Sequence, residues 1–130
     1  MAEAAGPLVL YVEDEILLQN SVIASLEDAG FKIVVADHGE QALQLISEHS
    51  AELCGLLTDV NLGSGPDGWE VARAARQAIA GLPVIYVSAA SDHEWTSQGV
   101  PGSIMIAKPF ANAQIVVAIS SLLTVSDSPG

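Results

Sequence analysis

Five short apolar runs, separated by segments with helical periodicity, constrain the fold more than any other feature of this sequence. The runs are rich in Val, Ile and Leu without polar alternation, which is typical of strands buried on both faces. They occupy residues 8–12, 31–36, 53–58, 83–87 and 103–106. Between them, apolar residues recur at helical spacing in residues 16–29, 40–49, 69–79 and 113–123. This alternation predicts right-handed βαβ units and one parallel sheet with helices on both faces.

Three local features refine the predicted helices. The apolar stripe of the first helix includes Leu17 and Val22, and we expect it to face the sheet. Asn112 is of a residue type that commonly caps helix N-termini, so we expect it to cap the last helix. Residues 91–102 are polar and end in two glycines and a proline, so any helix there should be brief and mobile.

Length, charge and cysteine content bound the class of protein. The 130 residues suit one domain, which we place at residues 8–124 between tails at 1–7 and 125–130. The net charge of -12 disfavours direct binding to nucleic acid or to an anionic membrane. The single Cys54 lies in an apolar segment and should be a small core residue, which is consistent with a cytoplasmic protein. Neither a signal peptide nor a membrane span is expected.

Polar side chains follow four of the predicted strands at the point where each strand ends. Glu13 and Asp14 follow the first strand, Asp59 the third, Ser88 the fourth and Lys108 the fifth. In such sheets ligands bind at the carboxyl ends of the strands, so we expect these side chains to meet there. Carboxylates a few ångströms apart repel one another and need a cation, and hard oxygen ligands favour Mg²⁺. The sequence therefore predicts a magnesium site beside a lysine and a hydroxyl group.

In order and spacing, these residues resemble the receiver domain of two-component response regulators over residues 8–123. The matching motifs are Val-Glu-Asp-Glu at 12–15, Leu-Thr-Asp-Val-Asn-Leu at 57–62, Asp-Gly at 67–68, Val-Ser-Ala at 87–89 and Lys-Pro-Phe at 108–110. The resemblance implies an α/β fold with a flavodoxin-like, doubly wound parallel sheet of five strands in the order 2-1-3-4-5 and about five helices.

The same resemblance assigns roles to the acidic residues. Asp59 would be the phosphoacceptor, a carboxylate nucleophile that forms an acyl phosphate. Asp14 and Asp59 would bind Mg²⁺ directly, and the backbone carbonyl of Asn61 would add a further ligand. Glu13 would bind the ion directly or through water. A hard divalent cation, most naturally Mg²⁺, is therefore the expected cofactor.

Lys108 and Ser88 would complete the site. Lys108 would hold Asp59 before phosphorylation and a phosphoryl oxygen afterwards, and its bond to the following proline is expected to be cis. Ser88 would donate a hydrogen bond to the phosphoryl group and move toward it on activation. With Ala89 and Met105, Ser88 would form the switch region. The family usually has an aromatic residue at the position that Met105 occupies here. Because methionine has no aromatic ring, an aromatic switch coupled to Ser88 is not expected in this chain.

Two further departures from the family concern loops. Gly63 stands where a proline commonly follows the phosphoacceptor strand, in a loop one residue longer than usual, and residues 91–102 are shortened. We therefore predict an atypical switch in which the order of this loop and of the fourth helix reports phosphorylation. The pattern is similar to a divergent bacterial set paired with HWE-type histidine kinases. Asn61 and Ala90 lie at positions that tune dephosphorylation in the family.

The interpretation is a stand-alone receiver that is phosphorylated on Asp59 by a sensor histidine kinase or a histidine phosphotransfer protein. It would signal through an unknown downstream protein, as a monomer or as a phosphorylation-dependent dimer. Its only catalysis would be Mg²⁺-dependent self-phosphorylation and dephosphorylation. No output domain follows residue 123 in this sequence; a complete chain would act through a partner, as a phosphate sink or in a phosphorelay, and a piece of a longer protein would give the same sequence.

Two other classes with a strand-end site fit the sequence less well. A phosphatase of the haloacid dehalogenase class has a second Asp two residues after its nucleophile, where this chain has Asn61. A flavodoxin-like FMN carrier needs a phosphate loop rich in Ser, Thr and Gly after the first strand, where this chain has Glu13, Asp14 and Glu15. Steady hydrolysis of small phosphoesters would revive the first class, and a yellow purified protein the second.

Overall fold

The computed structural model describes residues 6–89 and 92–127, without the side chains of residue 92 and residues 124–127. The strands are β1 (Leu8–Val12), β2 (Lys32–Ala36), β3 (Leu53–Asp59), β4 (Val84–Ser88) and β5 (Ile104–Ala107). The helices are α1 (Ile16–Asp28), α2 (Gly39–His49), α3 (Gly68–Ala78), α4 (Trp95–Gln98) and α5 (Asn112–Asp127). Ala90 and part of each predicted tail lie outside the described residues.

The strands form one parallel sheet in the order β2-β1-β3-β4-β5, as predicted. Alternate residues of each strand point to opposite faces, and both faces are covered. Leu10 and Tyr86 pack with residues of α2 and α3, whereas Tyr11 and Val87 pack with residues of α1 and α5. Because apolar layers cover both faces, the carboxyl edge of the sheet is the natural place for a polar site.

The apolar stripe predicted for α1 is partly wrong. Leu17 is 82% exposed, whereas Gln19, Val22 and Leu26 are buried. A helix with about 3.6 residues per turn that points these three residues at the sheet must turn Leu17 toward solvent. The inward face of α1 therefore contains a glutamine, whose hydrogen bonds belong to the functional site.

The predicted cap at Asn112 is also wrong, because α5 already begins at this residue. Ala111 is the residue before the helix, and its backbone N–H donates a hydrogen bond to Gln114 Oε1 at 2.8 Å. The Asn112 side-chain nitrogen instead donates to Ser21 Oγ at 2.9 Å and to Ser25 Oγ at 3.0 Å. Asn112 therefore fastens the start of α5 to α1.

Two smaller expectations have different outcomes. Cys54 is only half-buried and its thiol donates to the Glu52 carbonyl oxygen at 3.5 Å, so it is not a core residue. It lies near the start of β3, between the buried residues Leu53 and Gly55. The helix in the polar segment is brief, as predicted, since α4 has 4 residues.

No helix in the described ranges combines the length and the apolar character needed to cross a membrane.

Candidate functional site

Three carboxylates meet at the carboxyl edge of the sheet. Val12 of β1 pairs with Thr58 of β3, so Glu13 and Asp59, which follow them, are neighbours. One oxygen each of Glu13, Asp14 and Asp59 lies within 4.8 Å of the others. Glu13 is 1% exposed and Asp59 5%, whereas Asp14 is open to solvent. The strand ends thus bring together two buried acids and an exposed one.

A lysine reaches this acidic cluster from the end of β5. Lys108 Nζ donates to Asp59 Oδ2 at 2.8 Å and lies 3.6 Å from Glu13 Oε1. The peptide bond between Lys108 and Pro109 is cis, as predicted. The backbone N–H of Lys108 donates to the Ser88 carbonyl oxygen at 2.9 Å, which links the lysine to the end of β4. One ammonium group facing three carboxylates leaves the cluster with an excess of negative charge.

Burial and repulsion shift the pKa values of groups in this cluster. Burial, followed by the charge of Asp59, raises the pKa of Glu13 to about 7. Burial also raises the pKa of Tyr11, and the charges of Glu13 and Asp59 add to the effect. Burial alone would lower the pKa of Lys108, but its hydrogen bond to Asp59 and the neighbouring acids outweigh this and raise it. Lys108 is therefore charged, and its charge does not neutralise the cluster.

The donor set of the cluster suits a hard divalent cation. Carboxylate oxygens are the ligands that Mg²⁺ prefers, and the close approach of Glu13, Asp14 and Asp59 is unfavourable without a cation between them. Within the part of the chain that the structure describes, this cluster contains no Cys or His ligand. The residues present therefore fit Mg²⁺ and not a softer metal.

Both side-chain oxygens of Asp59 are held by hydrogen bonds. Lys108 Nζ holds Oδ2, and the backbone N–H of Asn61 donates to Oδ1 at 3.2 Å. The side chain of Asn61 is exposed. The use of its backbone carbonyl as a metal ligand stays a prediction. The hydrogen bonds fix the orientation of the Asp59 carboxylate within the cluster.

The glycine-rich loop after β3 folds back against Asp59. Gly63 and Gly65 have φ values of 77° and 86°, which glycine adopts without steric cost. The Gly68 N–H donates to the Val60 carbonyl oxygen at 2.8 Å. A Cβ atom at Gly68 would lie 2.2 Å from the backbone oxygen of Asp59. Glycine is therefore required where the start of α3 meets the peptide of Asp59.

Two of the predicted switch residues lie close to the cluster. Ser88 ends β4, the strand next to β3, and is 2% exposed. Ala89 is exposed and lines a cavity of about 400 Å³ together with Lys108 and Phe110. The end of β4 and the turn after β5 therefore share one surface beside the acids.

Met105, the third predicted switch residue, lies deeper in the sheet beside an aromatic pair. In the register of β4 and β5 it is opposite Tyr86, and it is half-buried. Tyr86 is fully buried, and its hydroxyl accepts a hydrogen bond from the backbone N–H of Val100 at 3.0 Å. Its ring centroid lies 4.6 Å from that of Trp69. Tyr86 thus connects the start of α3 with the segment after α4.

A second tryptophan anchors α4 to the turn that precedes β5. Trp95 Nε1 donates to Ser103 Oγ at 2.8 Å, and this hydroxyl donates to the Val100 carbonyl oxygen at 2.7 Å. A Cβ atom at Gly99 would lie 2.4 Å from Trp95 Cδ1, so the chain approaches the indole closely. Trp95 is therefore a local anchor for the short helix.

Gln19 is a site residue that the sequence reasoning missed. It is 6% exposed, and its side-chain nitrogen donates to the Glu13 carbonyl oxygen at 2.8 Å and to Asp37 Oδ1 at 2.9 Å. These bonds fix the backbone of the acidic turn, which is formed by Glu13, Asp14 and Glu15, against the end of β2. The sequence did contain a signal for Gln19, because this glutamine lies one helical turn after three consecutive acids. The predicted apolar stripe of α1 instead placed Leu17 on the inward face.

Comparison with known proteins places the chain in a family. It matches the response regulator receiver domain over residues 9–120. It is 30% identical over 120 residues to the transcriptional regulatory protein CusR of Escherichia coli (strain K12), covering 88% of this chain and 50% of that protein. It is 28% identical over 122 residues to the phosphate regulon transcriptional regulatory protein PhoB of Pseudomonas aeruginosa, covering 91% and 52%. The chain thus spans about half the length of the curated relatives it matches.

Solved structures agree with this match. A response regulator receiver protein from Sinorhizobium medicae WSM419 is 36% identical with a TM-score of 0.89, covering 94% of this chain and 98% of that one. The receiver domain of sensor histidine kinase PA1611 from Pseudomonas aeruginosa PAO1, which has a magnesium ion coordinated in its active site cleft, shares the fold at 24% identity and a TM-score of 0.77, covering 92% and 98%. Receiver domains function in two-component signalling through phosphorylation on an aspartate. This chain belongs to the response regulator receiver domain family.

Proposed function

We propose that Asp59 is the phosphoacceptor of this receiver and that its phosphoryl group comes from a phosphohistidine on a partner protein. The observation that carries the proposal is the setting of the Asp59 carboxylate. It is nearly buried at the end of a central strand, with Lys108 Nζ 2.8 Å from one oxygen and the Asn61 N–H donating to the other. A carboxylate fixed in this way beside a cation is suited to nucleophilic attack on phosphorus.

The transfer exchanges one bond to phosphorus for another. A carboxylate oxygen of Asp59 forms a bond to phosphorus while the P–N bond of the donor phosphohistidine breaks. The donor imidazole leaves as a neutral base, since its other ring nitrogen is protonated beforehand. Lys108 then pairs with a phosphoryl oxygen in place of Asp59 Oδ2, and Ser88 donates a hydrogen bond to another. The product is an acyl phosphate at the edge of the sheet.

The same acids provide the metal site. Glu13, Asp14 and Asp59, with the backbone carbonyl of Asn61, would hold Mg²⁺, with Glu13 acting directly or through water. When bound, the ion neutralises the acids and shields the incoming phosphoryl oxygens. The proposal is supported by the spacing of the three carboxylates and by the raised pKa of Glu13, both of which reflect negative charge that Lys108 does not balance.

The switch is proposed to involve the order of the glycine loop and of α4 rather than one aromatic ring. Met105 is not aromatic and lies beside buried Tyr86. The glycine loop touches Asp59 through Gly68, and α4 follows the segment that leaves Ser88. A change at the phosphorylated carboxylate would therefore reach the glycine loop at Gly68, and would reach α4 along the chain from Ser88.

The proposed donors are a sensor histidine kinase or a histidine phosphotransfer protein, and the proposed compartment is the cytoplasm. Catalysis would be limited to Mg²⁺-dependent self-phosphorylation and dephosphorylation. The phosphorylated form would act through contacts with a downstream protein. The family membership supports a histidine kinase as donor, and the acidic surface argues against nucleic acid as a direct partner.

Incubation with acetyl phosphate and Mg²⁺, followed by intact mass spectrometry, tests this function. Wild-type protein should gain the mass of one phosphoryl group, and Asp59→Asn should gain none. Asp28→Asn removes the same charge from an exposed acid of α1 and should behave as wild type. An adduct that persists in Asp59→Asn, or no adduct on the wild type, would remove the proposal. Continuous release of phosphate from small phosphoesters would point to a phosphatase instead.

A further inference from the structure

Gln19 is a polar residue on the inward face of α1, the face that also buries Val22 and Leu26. It is 6% exposed, and a buried amide group is unfavourable unless it makes hydrogen bonds. An amide nitrogen has two hydrogens to donate. Nε2 of Gln19 donates to the Glu13 carbonyl oxygen at 2.8 Å and to Asp37 Oδ1 at 2.9 Å. One side chain thus bridges the acidic turn and the residue that follows β2.

The bond to Glu13 acts on the peptide that joins two acids of the cluster. This peptide links Glu13 to Asp14, and one oxygen of each side chain lies within 4.8 Å of an oxygen of Asp59. Rotation of the peptide would turn both carboxylates out of that arrangement. Helical hydrogen bonding in α1 begins past it, with the Gln19 N–H donating to the Glu15 carbonyl oxygen at 2.9 Å. The orientation of the peptide therefore depends on the Gln19 side chain.

Asp37, the second acceptor, is itself held in place by α2. Its backbone N–H donates to Gln41 Oε1 at 2.8 Å. The start of α2 in turn lies against the glycine loop, since a Cβ atom at Gly39 would collide with the backbone oxygen of Pro66. These contacts form a path from the acidic turn through Asp37 and α2 to the loop that follows β3. The support for the acidic turn is therefore fixed on both sides of the site.

The side chain of Gln19 makes this link without carrying a charge. A lysine at the same position would balance part of the negative charge of the cluster, whereas an amide leaves that charge for a cation. Lys108 already faces Glu13 and Asp59 and leaves the cluster with an excess of negative charge. The contacts of Gln19 therefore favour a role in orienting the acids over a role in neutralising them.

We propose that Gln19 and Asp37 act together as positioning residues that set the affinity of the acidic cluster for Mg²⁺. They hold the peptide between Glu13 and Asp14 so that both carboxylates lie beside Asp59, and neither of them contacts the ion. The inference rests on the proposed function, in which these acids hold Mg²⁺. Loss of a group that orients metal ligands through hydrogen bonds lowers metal affinity about 10–100-fold.

Titration of the unphosphorylated full chain with Mg²⁺, followed by the NMR shifts of the backbone amides of residues 13–15 and 59–61, tests the proposal. Gln19→Met keeps the length of the side chain but removes its donors, and it should weaken Mg²⁺ binding at least about tenfold. Gln44→Met is the matched control, because Gln44 is exposed on α2 and donates to Glu48 at 3.3 Å. The control should bind Mg²⁺ as the wild type does, and thermal melts check that both variants fold.

Two variants of Asp37 separate positioning from charge. Asp37→Asn keeps an oxygen that accepts from Gln19 and removes only an exposed, screened charge, so Mg²⁺ affinity should stay within about twofold of the wild type. Asp37→Ala also removes the acceptor and should weaken binding about tenfold. Added to Gln19→Met, Asp37→Ala should have little further effect, because the hydrogen bond is already lost. Since Asp37 is exposed, its variants test the proposal even if Gln19→Met melts early.

The NMR shift of the Glu13 carbonyl carbon in EDTA provides a readout without metal. It should move in Gln19→Met, which removes the hydrogen bond, and stay in Gln44→Met. Wild-type Mg²⁺ affinity in Gln19→Met, an unchanged Glu13 shift, or equal weakening by Asp37→Asn and Asp37→Ala would each overturn the inference and leave the metal site in place. A wild type that binds no Mg²⁺ would instead remove the metal site of the proposed function, and this inference with it.

Discussion

Replacement of Glu13 by Gln is expected to stabilise the metal-free protein. Burial and the charge of Asp59 raise the pKa of Glu13 from 4.5 to about 7. A difference of this size corresponds to about 3 kcal/mol against the ionised form. Relaxation of the cluster and loss of the contact with Lys108 reduce the gain, so we expect Glu13→Gln to raise the free energy of unfolding by about 1–2 kcal/mol near pH 8.

The pH dependence of the stability gain from Glu13→Gln follows from the raised pKa of Glu13 in the folded protein. An acid whose pKa is raised on folding keeps its proton more firmly in the native state, so its ionisation destabilises the fold as pH rises from 4.5 to about 7. The advantage of Glu13→Gln should therefore be full above this range and mostly absent near pH 5. Saturating Mg²⁺ should shrink the difference, because the wild type retains the carboxylate and gains more from the ion.

Urea unfolding followed by circular dichroism, with and without EDTA, measures these differences. Glu27→Gln removes the same charge from an exposed position on α1 and serves as the control. If Glu27→Gln stabilised the protein equally, the effect would come from net charge and not from the cluster. Destabilisation of Glu13→Gln above pH 7 in EDTA would refute the reasoning.

Three further substitutions test packing around the site, each by urea unfolding. Gly68→Ala should cost about 1–3 kcal/mol and slow modification by acetyl phosphate, because its Cβ would lie 2.2 Å from the Asp59 backbone oxygen. Tyr86→Phe should cost about 1–2 kcal/mol and speed exchange of the Val100 amide, which loses its acceptor. Asn112→Ala should cost about 1 kcal/mol through lost hydrogen bonds to two serines of α1. A variant that unfolds at the wild-type urea concentration would show that its contact contributes nothing.

The convergence of the site residues could be predicted from the sequence because parallel strands place their carboxyl ends at one edge. Once the apolar runs were assigned, Glu13, Asp59 and Lys108 had to lie near that edge. The structure adds the distances among them and the pKa of Glu13, which depend on side-chain packing that no periodicity encodes.

The orientation of α1 could not be predicted in the same way. The helix has apolar residues on more than one side, so hydrophobic spacing alone does not select the inward face. The deciding contacts are the hydrogen bonds of Gln19 to the acidic turn and to Asp37, a residue 18 positions away. An apolar pattern cannot identify a polar residue that is buried through such hydrogen bonds.

The contacts of Tyr86 illustrate the same limit. Its hydroxyl accepts a hydrogen bond from Val100, which is 14 positions away, and its ring packs against Trp69 of α3. The sequence identifies Tyr86 only as one residue of a buried strand. Likewise, Asn112 was assigned to a cap from its type, whereas its partners on α1 are 87 and 91 positions away.

The chemical position of the phosphoryl group is the measurement that tests the proposed function most directly. Borohydride reduces an aspartyl phosphate to homoserine, so reduction of the phosphorylated protein followed by peptide mass spectrometry marks the modified residue. We predict homoserine at position 59, dependent on Mg²⁺ and absent from Asp59→Asn. Homoserine at position 14, or a phosphoryl group that survives reduction on a serine or histidine, would contradict the assignment of Asp59 as the phosphoacceptor.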